Sequence, residues 1–288
     1  MDASPYRVRP GQRVRLHQYD PADTGPFKNK DKAVKGLKRG IEQLVELQER
    51  LYAQDRWAVL LIFQAMDAAG NDSVIKHVMS GLNPLGTQVY SFKRPSDEEL
   101  DHDYLWRTVK ALPERGRIGI FNRSYYEEVL IVRVHPEILA RQKLPPSLVT
   151  QRLWTERFND INAHEAYLAR NGTLIRKFFL HVSKEEQKRR FLARLDEPAK
   201  NWKFSVGDLD ERSLWDDYVR AYEQMLSKTS TSHAPWHIVP ADHKWFTRLV
   251  VAELVVEALK SLDLAFPPAS PSHLKELAEA RRRLEAEP

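Results

Sequence analysis

The sequence predicts an α/β fold in which helices cover both faces of a parallel sheet. Five short apolar segments alternate with segments of helical periodicity, which is the pattern of repeated strand and helix units. Polar residues follow three of these segments, namely Asp67, Asn122 and Ser183, and ligands of open α/β sheets bind at the carboxyl ends of the strands. With 288 residues, 42% of them apolar, the chain can bury the core that such a sheet needs.

The first helix follows a segment that is rich in Pro and Gly. Residues 1–30 have no steady period and carry excess positive charge, so we expect an extended basic arm that lies on the body of the protein. From Asp31, apolar residues recur at steps of three and four, which predicts an amphipathic helix of about 20 residues. The pattern consists of Val34, Leu37, Ile41, Leu44, Leu47 and Leu51.

Each later apolar segment predicts a strand and the segment after it predicts a helix. An all-apolar run at 57–63 ends in a tight turn before a helical pattern through Ile75, Val78 and Met79. The further strands are predicted at 88–92, 117–121, 174–182 and 236–240, and the helices at 97–112, after Ser124, at 183–195 and at 243–262.

Two segments interrupt this alternation. Residues 133–172 contain three prolines and a helix at about 147–170, which we expect to cap the sheet. Residues 196–212 are polar with two aromatic anchors, Trp202 and Phe204, and predict a lid whose aromatic rings either pack within it or stack on a base. The chain thus divides into the arm, a main domain at 31–265 and a charged, solvated tail at 266–288.

Composition excludes several classes of protein. Because the chain has no cysteine, disulfide scaffolds, thiolate zinc sites and cysteine nucleophiles are ruled out. The mean hydropathy is −0.55, and apolar stretches such as 58–63 and 249–256 are much shorter than the roughly 20 residues of a membrane helix. No signal-like apolar stretch begins the sequence, so we expect a cytoplasmic protein without a membrane partner.

Positive charge is concentrated at the start of the chain. The whole sequence has 45 Lys and Arg against 40 Asp and Glu, a net charge of +5. Residues 1–40 alone hold ten Lys and Arg against four Asp, or +6, so the other residues sum to −1. Such an arm is either a solvated surface or a means of steering a polyanion toward the body.

The first turn after a strand resembles a phosphate-binding loop. Residues 65–71 (AMDAAGN) have the spacing of G-x4-G-K-[ST], with Ala65, Asn71 and Asp72 in place of the first Gly, the Lys and the Ser or Thr. Backbone N–H groups and the positive end of the helix dipole would converge there on a phosphate. An ordinary turn between a strand and a helix is the alternative.

Two charged residues bear on that choice. Asp67 would repel a phosphate unless a divalent cation lay between them, which suggests Mg2+. The alternative is that its carboxylate accepts hydrogen bonds from the amides of its own turn. Lys76 is one helical turn beyond Asp72, and its side chain leans toward the N-terminus of the helix. It therefore either reaches the phosphates or is a surface lysine.

The third strand ends in a second polar motif. Asn122 stands where phosphate-loop enzymes hold their metal ion, and Arg123 offers a planar fork for phosphate oxygens or, alternatively, pairs with Glu127. Ser124 is a suitable N-cap for the next helix. The spacing of three other histidines fits no metal site, so we interpret them as structural: His77, His135 and His181.

Four motifs together resemble the polyphosphate kinase type 2 family. They are residues 65–78 (AMDAAGNDSVIKHV), 121–129 (FNRSYYEEV), 202–205 (WKFS) and 234–242 (APWHIVPAD), and the resemblance extends from Tyr6 to about Leu264. It implies a P-loop kinase-like fold with a helical lid, a homo-oligomer (dimer or tetramer), and phosphoryl transfer from inorganic polyphosphate to adenine nucleotides. Residues 129–135 (VLIVRVH) are most similar to the subgroup that acts on both AMP and ADP.

The resemblance also implies roles for individual residues. Asp67 and Asn122 would hold the Mg2+ cofactor, while Arg123, together with Lys76, would stabilise charge in the transferring phosphoryl group. The expected phosphate-binding residues are Ala68, Ala69, Gly70, Asn71, Asp72 and Ser73 in the loop, with Arg133, Lys200, Lys203 and Arg212 around the lid. This sequence departs from the family pattern at two positions, because Lys usually stands at position 71 and often Asp at position 122.

Two other functions remain compatible with these residues. One is an ATP-dependent nucleoside monophosphate kinase, and the other is a polyphosphate-binding protein impaired in catalysis by Asn71 and Asn122. Inorganic polyphosphate and adenine nucleotides are the expected partners, and nucleic acid is not.

Overall fold

A five-stranded parallel sheet is the centre of the molecule in the computed structural model, which describes residues 4–287. The strands lie in the order β2-β3-β1-β4-β5, and each neighbouring pair is parallel. All five predicted strands are confirmed to within a few residues. Their bounds are β1 Ala58–Ala65, β2 Thr87–Ser91, β3 Ile118–Asn122, β4 Thr173–His181 and β5 Trp236–Pro240.

Helices follow each strand, as the alternating pattern predicts. Those of the first half are α1 (Lys30–Gln54), α2 (Asn71–Val78), α3 (Asp97–Leu100), α4 (Trp106–Val109), α5 (Ile131–Val134) and α6 (Pro136–Ala140). Those of the second half are α7 (Leu153–Arg170), α8 (Lys184–Asp196), α9 (Gly207–Ser213), α10 (Trp215–Thr229), α11 (Lys244–Lys260) and α12 (Pro271–Glu285).

The two faces of the sheet are covered by two separate hydrophobic cores. Along β1, Val59, Leu61 and Phe63 join the core beneath α1, α2 and α11, whereas Leu60 and Ile62 join the core beneath α7 and α10. A central strand buried on both faces reads as a continuous apolar run, which explains the sequence of β1. The predicted α/β fold with helices on both faces is confirmed.

The predicted apolar face of α1 is confirmed at Leu44, Leu47 and Leu51, and near the start of the helix small residues replace Val34 in the contact. Val34 is 47% exposed, while Ala33, Gly36 and Gly40 are buried. A Cβ atom at Gly36 would lie 3.0 Å from Leu249 Cδ1, so the helix backbones of α1 and α11 approach each other closely because Gly36 has no side chain. Periodicity counted on large apolar residues does not detect a contact face made of small ones.

Three helix predictions differ from the structure. The segment 97–112 forms two short helices, α3 and α4, because the chain turns between them and Asp103 accepts a bond from the Leu105 N–H. After Ser124 a 3-10 turn, Tyr125–Val129, precedes α5 and α6 instead of one helix. Helix α7 begins at Leu153, later than predicted, after a 3-10 turn at Pro146–Leu148.

The N-terminal residues that the structure describes pack along β5 and α10. Val8 donates from its N–H to the carbonyl of Trp236 at 2.9 Å, and Val14 and Leu16 are buried. The segment therefore covers the open edge of the sheet at β5. At the other end of the chain, α12 buries none of its residues. Within residues 4–287, no helix combines the length and the apolar character needed to cross a bilayer.

Candidate active site

Two residues with strained backbones lie where strands β1 and β3 end. Ala68 has a φ of 60° and Arg123 a φ of 63°, in the left-handed region that side chains with a Cβ atom rarely adopt. Such strain persists only where surrounding contacts impose it, and it clusters at functional sites. The two loops that the sequence singled out therefore have the backbone character of a site.

The loop after β1 exposes the start of α2. Gly70 is the N-cap of this helix with a φ of 111°, a conformation that strongly favours glycine. The first N–H groups of a helix have no carbonyl partner within it, so those of Asn71, Asp72 and Ser73 are available to an anion. This is the arrangement expected of a phosphate cradle.

Arg190 of α8 holds the loop from behind. Its Nη1 donates to the carbonyls of Ala68 at 2.9 Å and Ala69 at 2.5 Å, and its Nη2 donates to the carbonyl of Ala241 at 2.5 Å. Next to it, the side chain of Gln187 donates to the carbonyl of Asp67 at 3.0 Å. Sequence reasoning missed both residues, because their partners are backbone carbonyls and no local pattern reveals such contacts.

Asp67 and Arg123 form an ion pair between the two loops. Arg123 Nη2 lies 3.0 Å from Asp67 Oδ1, and both side chains are partly exposed. The sequence left open a pairing of Arg123 with Glu127, but the ion pair in the structure is with Asp67. The charge of Glu127 still raises the pKa of the guanidinium, and Asp67 adds to the shift. No backbone amide of residues 4–287 donates to the Asp67 carboxylate.

The side chains of Asn71 and Asn122 also connect the two loops. Asn71 Nδ2 donates to Asn122 Oδ1 at 3.2 Å, and Asn122 Nδ2 donates to Asp72 Oδ1 at 2.7 Å. The remaining oxygen, Asn71 Oδ1, is buried without a hydrogen-bond partner in the described part of the chain. Such an unsatisfied buried acceptor is rare in native proteins, and a bound donor or cation would satisfy it.

Two more cations lie near α2, namely Arg248 and Lys76. Arg248 of α11 donates from Nη2 to Ser73 Oγ at 2.8 Å, which brings a second arginine to the loop that the sequence did not reveal. Lys76 is exposed and lines neither of the two cavities of the site.

Two neighbouring cavities meet at Arg123. The smaller, of about 300 Å³, lies over the phosphate loop and is lined by Asp67, Gln187 and Arg212 among others. The larger, of about 430 Å³, is lined by both apolar and charged groups, including Phe92 and Tyr104. Arg123, Glu127, Ile131 and Glu211 line both.

Only one of the four cations predicted around the lid reaches a cavity. Arg212 lines the smaller cavity and donates to the carbonyl of Lys184 and to Gln187 Oε1, both at 2.8 Å. The other three lie outside both cavities: Lys200 pairs with Glu197 at 2.5 Å, Lys203 lies 5.0 Å from the ring of Trp202, and Arg133 lies 5.7 Å from the ring of Trp154.

The two lid aromatics have different surroundings. The ring of Phe204 packs edge-on against Phe191 of α8 at 5.9 Å, whereas Trp202 is 79% exposed. Phe204 therefore anchors the segment, and Trp202 does not.

A buried polar network supports the second motif from beneath. Glu165 accepts hydrogen bonds from the hydroxyls of Tyr125 and Tyr126, both at 2.8 Å, and from Lys177 Nζ at 2.6 Å. Lys177 also donates to the Tyr126 hydroxyl and to the carbonyl of Thr229, each at 2.7 Å, so its three protons all have acceptors. Burial lowers the pKa of Lys177, and the charge of Glu165 opposes this shift.

The residues at the loop fit a cation that is shared with a phosphate ligand. No group of three or more His, Asp or Glu side chains within residues 4–287 forms a protein-only metal site. Mg2+ typically binds through one or two carboxylates together with substrate phosphates and water. Asp67, whose Oδ2 accepts no hydrogen bond from residues 4–287, and the unpartnered Asn71 Oδ1 satisfy that requirement.

Comparisons with known proteins identify the family of the chain. The family model described as polyphosphate kinase 2 (PPK2) matches residues 28–267. An ADP-polyphosphate phosphotransferase of Rhodopseudomonas palustris is 53% identical over 97% of both chains. An AMP/ADP-polyphosphate phosphotransferase of Meiothermus ruber is 44% identical over 91% of this chain and 94% of its own.

A solved structure gives the same result for the fold. The crystal structure of polyphosphate kinase 2 from Arthrobacter aurescens TC1 superposes with a TM-score of 0.88 at 41% identity, covering 97% of this chain and 96% of that one. The chain therefore belongs to the polyphosphate kinase 2 family.

Proposed function

We propose that this protein transfers a phosphoryl group from inorganic polyphosphate to AMP and ADP, with Mg2+ as cofactor. The observation that carries the proposal is the phosphate cradle between Asp67 and Arg123, in a chain whose relatives of 53% and 44% identity bear the names of polyphosphate phosphotransferases. The names of these two relatives include ADP in one case and both AMP and ADP in the other.

The reaction requires no nucleophilic side chain. The terminal phosphate oxygen of the nucleotide attacks the end phosphorus of polyphosphate in line, and the rest of the polyphosphate chain leaves. Catalysis then comes from positioning the two phosphates and from stabilising the charge between them. A site made of backbone amides, one carboxylate and arginines is suited to this task.

Each residue of the cradle has a distinct part in this mechanism. The amides of residues 71–73 bind phosphate oxygens, and Arg190 keeps those amides in place by bonding the carbonyls on the other side of the loop. Asp67 would hold the Mg2+ ion, which neutralises phosphate charge when bound. Arg123 then contacts the transferred group, because its guanidinium already lies beside Asp67.

The two cavities suit the two substrates. The larger one has aromatic walls from Phe92 and Tyr104, which favour the nucleoside of the acceptor. The smaller one lies over the loop and receives the phosphates of the donor. Since Arg123 and Glu127 line both, the acceptor and donor phosphates meet at Arg123.

A comparison of donors tests the proposal. Purified protein with Mg2+ is incubated with AMP or ADP, and either long-chain polyphosphate or ATP, and nucleotide products are separated by chromatography. We expect ADP and ATP to form from polyphosphate. Activity with ATP alone would identify a nucleoside monophosphate kinase, and polyphosphate binding without any product would identify an impaired binding protein.

Two further properties belong to the same proposal. We propose that the protein works in the cytoplasm, in keeping with its lack of cysteine, and that it assembles as a dimer or tetramer. Sedimentation velocity at micromolar concentration tests the assembly, and a single monomeric species would contradict it.

A further inference from the structure

A row of exposed cations follows one side of α1, away from both cavities. It consists of Lys32, Lys35, Lys38 and Arg39, which line a shallow groove together with Phe27 and Glu42. We call these four residues the cationic row. Within residues 4–287, none of the four side chains has a carboxylate within 4.0 Å or a hydrogen-bond partner, whereas Arg50 on the same helix pairs with Glu46.

The row does not stabilise its own helix. Lys32, in the first turn, opposes the helix macrodipole at a cost of about 0.3–1 kcal/mol at low salt, an effect that does not extend to the later turns of the row. Neighbours such as Lys35 and Arg39, spaced four residues apart, also repel each other by about 0.2–0.5 kcal/mol. Only Asp31 supplies an acidic group in the first turn. Asp31 and Glu42 stand four residues from Lys35 and Lys38, yet neither carboxylate lies within 4.0 Å of the row, so the positive charges remain open to an external anion.

The beginning of α1 is level with the phosphate loop. A Cβ atom at Gly81, just past α2, would lie 3.8 Å from the side chains of both Ile41 and Val45. Helix α2 has eight residues, a rise of about 12 Å, and the same rise back along α1 from Ile41 reaches about residue 33. The start of the cationic row is therefore at about the same height as the N-terminus of α2, with α11 packed against both helices.

Helix α11 connects the row to the loop. Gly36 of α1 lies against Leu249, and Arg248, one residue earlier, bonds Ser73 of the phosphate loop at 2.8 Å. One turn before Arg248 is the exposed Lys244, whose pKa is lowered by partial burial and then by the nearby charge of Arg190. Positive groups thus continue from the loop across α11 to α1.

We propose that the cationic row binds the distal phosphates of a long polyphosphate chain, beyond the units held at Asp67 and Arg123. The inference rests on the proposed function, since that function supplies the polyanion. Successive lysines three residues apart rise by about 4.5 Å along the helix, so a linear polyanion lying in the groove meets a charge at every step. Short polyphosphates that fill only the cradle do not reach the row.

The test removes the row and compares donors of different length. The variant Lys32→Gln, Lys35→Gln, Lys38→Gln, Arg39→Gln loses four positive charges, and the control Lys275→Gln, Arg281→Gln, Arg282→Gln, Arg283→Gln loses the same number on α12, whose residues are all exposed or partly exposed. Circular dichroism and thermal melting establish that both variants fold. KM is then measured with long-chain polyphosphate and with tripolyphosphate.

We expect the row variant to raise KM for the long chain by about tenfold or more, and to leave kcat and the KM for tripolyphosphate within about twofold. In equilibrium binding of the long chain, the slope of log K against log salt should fall by about 3, by analogy with single-stranded nucleic acids. The α12 variant should change neither quantity. The proposal would be overturned if the row variant changed KM equally for both donors. It would also be overturned if the row variant and the α12 variant changed KM for the long chain equally.

Two outcomes separate this inference from the proposed function. If wild-type protein uses both donors but the row variant behaves as the α12 variant does, only the role of the row is wrong. If wild-type protein forms no product from either donor, the proposed function is wrong, and binding of the two polyphosphates alone then decides the role of the row. Tighter binding of a single-stranded oligonucleotide than of polyphosphate of equal charge would also overturn the proposal.

Discussion

The side chain of Asn71 donates a hydrogen bond to Oδ1 of Asn122 across 3.2 Å. The two positions at which this sequence departs from its family's usual pattern are therefore in contact with each other. A Lys beside an Asp would form a charged pair at this place, and the two amides form a neutral one. Replacing both residues leaves the local charge balance unchanged but removes a cation from the phosphate loop.

Restoring the cation should increase activity. In Asn71→Lys, the ammonium can bond both Asn122 Oδ1 and a phosphate oxygen, and a charged bond of about 1.5–3 kcal/mol corresponds to roughly ten- to a hundredfold in kcat/KM. Steady-state kinetics with polyphosphate and ADP measure the gain. Asn71→Met is the control, because it lengthens the side chain without a charge and should give no gain. An unchanged rate in Asn71→Lys would mean that Arg248 or Lys76 already supplies this charge.

Removing the carboxylate of Asp67 should abolish turnover while preserving polyphosphate binding. Asp67→Asn keeps the size of the side chain but loses the charge that we assign to Mg2+, so we expect kcat to fall by at least about a hundredfold. Its ion pair with Arg123 is half-exposed and contributes no more than about 1 kcal/mol to folding. The loss should therefore appear in kcat and in the Mg2+ requirement, with little change in melting temperature.

The matched control for this variant is in the same loop. Asp72→Asn makes the same charge change five residues later, in the first turn of α2, where the side chain accepts from Asn122 at 2.7 Å. We expect it to keep most of the activity. If both variants lose activity equally, the effect of Asp67 is one of net charge and its role in holding the metal ion is contradicted.

Arg190 should matter for both stability and donor binding. It is 6% exposed, and in Arg190→Lys a single ammonium cannot bond the carbonyls of Ala68 and Ala241 together. Leaving buried carbonyls unpaired costs about 1–3 kcal/mol, so the free energy of unfolding should fall by that amount and KM for polyphosphate should rise. Urea unfolding and kinetics measure the two effects.

The adjacent arginine provides the comparison. Arg189 bonds the same carboxylate, Glu186, but its side chain is 71% exposed. Arg189→Lys should change the free energy of unfolding by less than about 0.5 kcal/mol. Equal losses in Arg189→Lys and Arg190→Lys would show that Glu186, and not the loop carbonyls, is the partner that matters.

The sequence predicted the parts of the site whose signal is local. The apolar run of β1 followed by Asp67 and Gly70 predicts a strand, a turn and a helix. A strand buried on both faces requires apolar residues, and a left-handed N-cap favours glycine. The same holds for Asn122 at the end of β3. The strand positions, the fold and the family follow from such local sequence patterns.

The parts that were missed depend on contacts between distant segments. Arg190 bonds main-chain carbonyls. Because every residue has a main-chain carbonyl, the sequence near position 190 does not identify its partners. The close contact between the start of α1 and α11 was not predicted because it is made at Gly36 and Gly40, and hydrophobic periodicity gives glycine no weight. Contacts of this kind become visible only with the structure.

The buried pair of Glu165 and Lys177 should behave as a unit. Lys177→Met leaves the carboxylate without its cation in a fully buried place and should destabilise the protein by about 3–5 kcal/mol. The double variant Glu165→Gln, Lys177→Met removes both charges and should recover a large part of that loss. Urea unfolding of the two single variants and the double variant gives the coupling free energy, and additive losses would contradict the pairing.

His237 should make the protein less stable in mild acid. It is 4% exposed, its Nδ1 lies 3.2 Å from the carbonyl of Lys177, and burial lowers its pKa from 6.5 to about 3. Between those two values the unfolded chain binds a proton at this residue and the folded chain does not. The free energy of unfolding therefore decreases as pH falls through this range, by about 2 kcal/mol between pH 7.5 and pH 5.

Comparing variants isolates this contribution from those of other groups. His237→Gln keeps an N–H donor for the Lys177 carbonyl but does not titrate, so it should lose about 2 kcal/mol less than wild type when urea unfolding is repeated at pH 7.5 and pH 5. His17→Gln, at an exposed histidine, should follow the wild-type curve. If wild type and His237→Gln lose the same free energy of unfolding between pH 7.5 and pH 5, His237 accepts its proton without unfolding of the protein. This requires the N-terminal segment, which is bridged to His237 at Arg7, to open first.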